Sequence, residues 1–172
     1  MSKYFVFLIL FIFPLLGKGQ TITAMSIDTA TRDTALITST EMVGDTLSLP
    51  AGISRQLYVN ATRMSGNYEL VFSLQTNVEE PFVINPGSKV TFLMADSSTV
   101  EITSNSLMPS QAGVINSGQS IKISYPLPAD QFSKLANTGI ASLSVAYDGG
   151  SFDFTPRASY TTTIQRICGL LK

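Results

Sequence analysis

Through the middle of the chain, apolar and polar residues alternate with the two-residue period of a half-buried strand. Tyr68, Leu70, Phe72 and Leu74 fall on one face, and Glu69, Ser73 and Gln75 fall on the other with Val71. Gly66-Asn67 supplies the turn before this strand. Further upstream, the regular pattern begins near Arg55, where Leu57 and Val59 share a face. After the Pro86-Gly87 turn, Lys89 to Ala95 puts Val90, Phe92 and Met94 inward. Asp96-Ser97-Ser98 turns the chain, and Thr99 to Thr103 returns with Val100 and Ile102, which predicts an antiparallel hairpin. A long connection over residues 105–118, with a short strand at Val114-Ile115, leads to a strand over Ser120 to Tyr125.

The pattern then changes period. Phe132, Leu135 and Ala136 make a helical stripe, with Pro128 in the first turn, Asp130 near the positive end and Gly139 closing the helix. Ile140 to Tyr147 returns to strand. Asp148-Gly149-Gly150 forms a hairpin turn, and Phe152 and Phe154 share a face of the next strand. Thr155-Pro156 reads as an N-cap and first helical residue, and Tyr160, Ile164, Ile167, Cys168 and Leu171 hold one face of a C-terminal helix. Thr161-Thr162-Thr163 works against that helix, because β-branched side chains lose rotamer freedom there. These elements predict a mainly β fold: a two-layer, antiparallel, sandwich-like domain with one short helix and a C-terminal helix.

The first nineteen residues follow a different pattern. Lys3 precedes an almost unbroken apolar run from Tyr4 to Leu16, and Gly17-Lys18-Gly19 offers small residues for cleavage. Residues 1–19 are therefore expected to be an export signal, with the mature chain starting near Gln20 in the periplasm or outside the cell. The run is short for a membrane span, and no cysteine follows it to carry a lipid, so neither a transmembrane nor a lipid anchor is expected. Residues 20–52, rich in Ser, Thr and Asp, read as a loosely held lead-in in which Ala35 to Met42 is a weak strand candidate. Residues 53–172 read as the single domain.

Composition narrows the chemistry. Without residues 1–19 the chain holds nine Lys and Arg against twelve Asp and Glu, so no basic surface for nucleic acid is expected. There is no histidine, which removes the common general base near neutral pH and with it Ser-His-Asp and Cys-His machinery. No phosphate-binding glycine loop or His/Cys metal spacing is present, and no cofactor is expected. Cys168, the only cysteine, reads as a small apolar core residue. Glu79-Glu80, before Pro81, reads as a solvated turn. Asp148 and Asp153 flank a hairpin and offer too few oxygens for calcium. Tyr58 and Tyr147 are the rings best placed for partial exposure and are read first as core or rim residues. Asn60-Ala61-Thr62 matches an N-glycosylation acceptor that matters only in a eukaryotic host.

From Tyr68-Glu69-Leu70-Val71-Phe72 onward the chain resembles a group of small exported proteins of Gram-negative bacteria that have no assigned biochemical activity. Gly87 to Leu93 with its return Thr99 to Ile102, Tyr125-Pro126-Leu127 before Gln131 to Leu135, and Gly139-Ile140 carry the likeness. Pro128 stands where such proteins often have a hydroxyl or acidic cap, and the strand after Ile140 lacks a frequent basic residue. The resemblance implies export and a β-rich fold. Asp28-Thr29-Ala30, Asp33-Thr34-Ala35 and Asp45-Thr46-Leu47 resemble acceptors for O-linked glycans in some Gram-negative envelopes, which makes Thr29, Thr34 and Thr46 candidate modification sites; the alternative is a Thr- and Asp-rich linker that meets the pattern by composition alone. The function expected is a non-catalytic binding or structural module acting on an envelope protein or polymer. The alternative is a small carboxylate-dependent hydrolase or lyase, for which a deep pocket lined by Asp or Glu would speak.

Overall fold

The computed structural model describes residues 20–27, 34–48, 52–113 and 118–172. The expected export signal, Thr29 and the Val114-Ile115 strand lie outside the described residues. Thirteen strands and two helices follow one another along the described residues. Strands β1 (Ile22–Ile27), β2 (Thr34–Thr38), β3 (Glu41–Ser48), β4 (Ile53–Met64) and β5 (Asn67–Thr76) come first. Next are β6 (Val83–Ile84), β7 (Lys89–Met94), β8 (Thr99–Thr103), β9 (Met108–Pro109), β10 (Gln111–Ala112) and β11 (Gln119–Leu127). Helix α1 (Ala129–Leu135), β12 (Ile140–Tyr147), β13 (Gly150–Phe154) and helix α2 (Thr163–Gly169) complete the order.

The fold is mainly β and antiparallel. A seven-stranded sheet runs β1-β2-β4-β5-β11-β10 with β3 also paired to β4, a four-stranded sheet runs β13-β12-β7-β8, and β6 pairs with β9. The sheets face each other across one core. Phe72 of β5 lies 6.3 Å from Phe92 of β7 and 5.7 Å, edge-on, from Tyr125 of β11, ring centre to ring centre. All three rings are essentially without solvent contact, which is what the alternation of β5, β7 and β11 requires of their inward positions. Burial pushes the Tyr125 phenol above its ordinary value. Two turns follow from local chemistry. Ser65 and Gly66, both at positive φ, make the two-residue link of the β4–β5 hairpin. Gly87, at φ 85°, completes the Pro86-Gly87 turn, in which Ser88 N donates to Asn85 O at 3.0 Å.

Residues 34–48, expected within a loose lead-in, are part of the larger sheet. Strand β4 is long enough for two neighbours to share one of its edges: β2 pairs with Thr62–Met64 and β3 with Ile53–Val59. Between them Ala61 would lose its backbone partners, and the buried Thr38 side chain replaces them. Thr38 Oγ1 accepts from Ala61 N–H at 2.9 Å and donates to Ala61 O at 3.3 Å. The register of β3 shifts between Met42 and Gly44, which leaves Val43 as an extra residue inserted fully into the core. Gly44 then lies so close to β13 that a Cβ there would sit 3.1 Å from Phe154 Cβ.

The helices also differ from expectation at their ends. Helix α1 closes at Ala136, and Gly139 serves β7 instead, its carbonyl accepting from Ala95 N at 2.9 Å. The C-terminal helix starts after Thr162, well past Thr155-Pro156. Thr161 O accepts from Ile140 N at 2.8 Å, so that carbonyl belongs to the start of β12 and cannot enter a helical ladder. Phe132 of α1 stacks on Tyr68 at 3.7 Å, and Arg63 donates to Leu171 O at 3.2 Å, which fixes both helices over one end of β4. Ile164, Ile167, Cys168 and Leu171 are fully buried there, and burial pushes the Cys168 thiol up from 9.0 to about 12.

Candidate ligand-binding site

Among the described residues, no helix covers the opposite end of β4. Arg55 has the same parity as Leu57, Val59 and Ala61, so it projects into the space between the sheets at its mouth. Its neighbour across the β5 ladder is Thr76. Its guanidinium lies over the Phe152 ring, Cζ 5.0 Å from the centroid. Nε is enclosed and has no hydrogen-bond partner among the described residues. Tyr147 stacks on Phe152 at 4.2 Å with 11° between the planes, and Phe82 meets Phe152 edge-on at 4.9 Å. With Thr76, Glu80 and Asp148 these residues line a cavity of about 380 Å³.

Each wall is held by side chains that cap backbone groups. Ser110 Oγ accepts from Phe82 N at 3.0 Å and donates to Gln119 Oε1 at 2.9 Å, while Gln119 Nε2 donates to Glu79 O at 2.9 Å. This chain, with Gln119 buried, locks the loop bearing Glu80 and Phe82 from behind. Asp148 Oδ1 accepts from Val83 N at 3.0 Å, and Asp148 N donates to Val83 O at 2.9 Å, which ties the β12–β13 turn to β6. Asn77 binds the start of β4 through Ser54 N and Gly52 O, each at 2.8 Å. Two glycines permit close approach. A Cβ on Gly118 would lie 1.9 Å from Thr76 O, and one on Gly149 would lie 2.7 Å from the Tyr147 ring.

The cavity therefore offers one guanidinium that pairs with no carboxylate among the described residues, against a wall of three rings. Asp148 is committed to the Val83 backbone, and Glu80 stands exposed at the rim. This arrangement can hold a planar or anionic group, since the guanidinium presents hydrogen-bond donors in a fixed fork.

A larger groove, about 590 Å³, lies beside α1 and includes Glu69, Glu101 and Gln131. Its carboxylates are engaged: Glu101 pairs with Lys89 at 2.7 Å, and Glu69 accepts from Ser124 Oγ at 2.7 Å. Gln131 Oε1 is enclosed without a hydrogen-bond partner among the described residues.

Of the residues singled out from the sequence, Tyr147 lies in the cavity, whereas Tyr58 sits elsewhere on β4 and donates to Gln56 Oε1 at 3.1 Å. Glu80 lines the cavity, while Glu79 contributes its backbone carbonyl to the bond with Gln119. Asp148 and Asp153 serve different partners, Asp153 accepting from Ser144 at 2.6 Å and from Ser151 at 3.1 Å. Among the described residues no three acidic, Cys or His side chains converge on a metal position. Thr34 is exposed on β2, and Thr46 lies on β3 opposite Arg55. Asp45, before Thr46, pairs with Arg157 at 2.7 Å, and the backbone of that triplet is paired with β4. Arg55, Phe82 and Phe152 were not expected as a site. The parity that put Arg55 on the face of Leu57 and Val59 was the available signal.

No helix among the described residues is long and apolar enough to cross a membrane. Comparison with protein-family models, with curated proteins and with solved structures finds no match to this chain.

Proposed function

We propose that this chain is a non-catalytic binding module of a Gram-negative cell envelope, exported by residues 1–19 to the periplasm or beyond and acting on an envelope protein or polymer. The observation that carries the reading is the Arg55 cavity: a cation turned inward at the mouth of a core, stacked on an aromatic wall, has no hydrogen-bond or carboxylate partner among the described residues and is suited to recognition. The sequence has no histidine, Asp148 is bonded to Val83 N, and the remaining carboxylate, Glu80, stands exposed at the rim, which favours binding over turnover there. Exposed Thr34 is the best placed of the described O-glycan candidates, and Thr29 and Thr46 belong to the same proposal.

Cell fractionation and intact mass of protein from its own host test the reading. The expected result is an envelope or extracellular protein beginning at or near Gln20, with any glycan mass removed by replacing the three threonines with Ala. A cytosolic chain retaining Met1 contradicts export.

The groove beside α1 favours a second reading, a carboxylate-dependent hydrolase or lyase using Glu69 and Glu101. Its test is hydrolysis of glycoside and ester reporters. Turnover abolished by Glu69→Gln or Glu101→Gln would establish it, and rates at the buffer level in the parent protein would discard it.

A further inference from the structure

We infer that the Arg55 cavity binds a small ligand carrying a single carboxylate on an apolar body, with the carboxylate on the outer edge of the guanidinium and the body against Phe82 and Tyr147. This assignment deepens the binding reading above and rests on it.

Nε is enclosed, and one face of the guanidinium covers Phe152. The two terminal nitrogens are not among the enclosed unpartnered atoms and carry no hydrogen bond to a described residue, so they form the accessible edge. That edge offers two parallel N–H donors, the spacing a carboxylate accepts through both oxygens. A charge half-removed from water and in no ion pair with a described residue attracts an anion more strongly than a solvated one does. The acidic groups restrict which anion fits. Asp148 and Glu80 give the cavity two negative charges against one positive, so a dianion such as a phosphate monoester meets repulsion that a monoanion partly escapes. The rings and the approximately 380 Å³ of space suit a compact apolar or aromatic body. The backing by Ser110, Gln119 and Asn77 means that little ordering remains to be done on binding.

The test uses three probes of one shape: benzoate, benzamide and benzylamine, titrated into the isotopically labelled protein by NMR at low salt. Benzoate should shift the backbone amides of Thr76, Tyr147 and Phe152 with a Kd on the order of 1 mM, and benzamide should bind at least about tenfold more weakly. Arg55→Met should lose at least about tenfold in benzoate affinity, and Arg55→Lys, which keeps the charge but not the fork, should fall between. Spectra of Phe72 and Phe92 that match the parent confirm that a variant is folded. Benzoate binding Arg55→Met or, should that variant not fold, Arg55→Lys as tightly as the parent overturns the assignment. Benzamide or benzylamine shifting these amides when benzoate does not overturns the carboxylate but leaves the cavity a binding site. No shift from any probe overturns the assignment as well, while fractionation and the hydrolysis screen still judge export and the non-catalytic reading.

Discussion

The two ends of β4 share one strand, one inward-facing parity and one inter-sheet space, yet they are finished differently. At the Ala61 end, α1 and α2 cover the space and bury Ile164, Ile167, Cys168 and Leu171 completely, and Thr38 supplies the hydrogen bonds that the gap between β2 and β3 would leave unmade. At the Arg55 end the same row of inward positions stops in a cation, an unpaired Nε and a ring-walled cavity. The first arrangement satisfies polar groups locally and excludes water. The second keeps a charge at the edge of the core in no ion pair with a described residue, which opposes folding and favours recognition. Stability and binding should therefore separate along β4.

The largest effect is expected where the two ends meet. Phe92→Ala removes a fully buried ring facing Phe72 and should cost about 3–5 kcal/mol in urea unfolding. A cost below about 1 kcal/mol would show that the sheets do not pack there and would remove the basis for comparing their ends.

At the closed end, Thr38→Val keeps the shape but strands the N–H and C=O of Ala61, and should cost about 1–3 kcal/mol, whereas Thr38→Ser should recover most of it. Equal stability of parent and Thr38→Val would return residues 34–48 to the status of a dispensable lead-in.

Cys168 sharpens the same contrast through pH. Its native thiol holds its proton up to about 12, against 9.0 when free, so above pH 9 the unfolded chain binds fewer protons than the native one. Stability contributed below pH 9 should thus be lost as pH rises toward 12, at up to about 1.4 kcal/mol per pH unit from this group. Cys168→Val should flatten that part of the profile, and a thiol reagent should label the native protein at pH 8 only as fast as it unfolds. Immediate labelling at pH 8 would mean that the helix-covered end is open.

The longer strands from Tyr68 to Phe154 were legible because each alternates cleanly and is bounded by strong turn residues such as Pro86-Gly87 and Gly149-Gly150, whereas the two-residue strands β6, β9 and β10 are too short to show a period. Strands β2 and β3 showed only as one weak candidate over Ala35 to Met42, for two physical reasons. The inserted Val43 breaks the two-residue period, and Thr38 is a buried polar residue whose partner lies 23 positions away. The start of α2 was misplaced because a tertiary hydrogen bond from Ile140 to Thr161 O decides it, and no local signal at Thr155-Pro156 reports that. The cavity was half legible. Tyr147 was marked as a ring of partial exposure, and the shared parity of Arg55 with Leu57 and Val59 was an unused signal, but Phe82 and Phe152 join them only through pairing and packing between distant segments.

Thermal unfolding of ligand-free Arg55→Met against the parent tests the separation of stability from recognition most directly. Met keeps apolar contact with Phe152 and removes a charged group whose enclosed Nε has no partner, so the midpoint should stay level or rise by a few degrees, about 0.5–1 kcal/mol. A fall of the size expected for a core residue, about 2 kcal/mol or more, would make Arg55 a structural element and contradict the division of β4 into a closed end and a binding end.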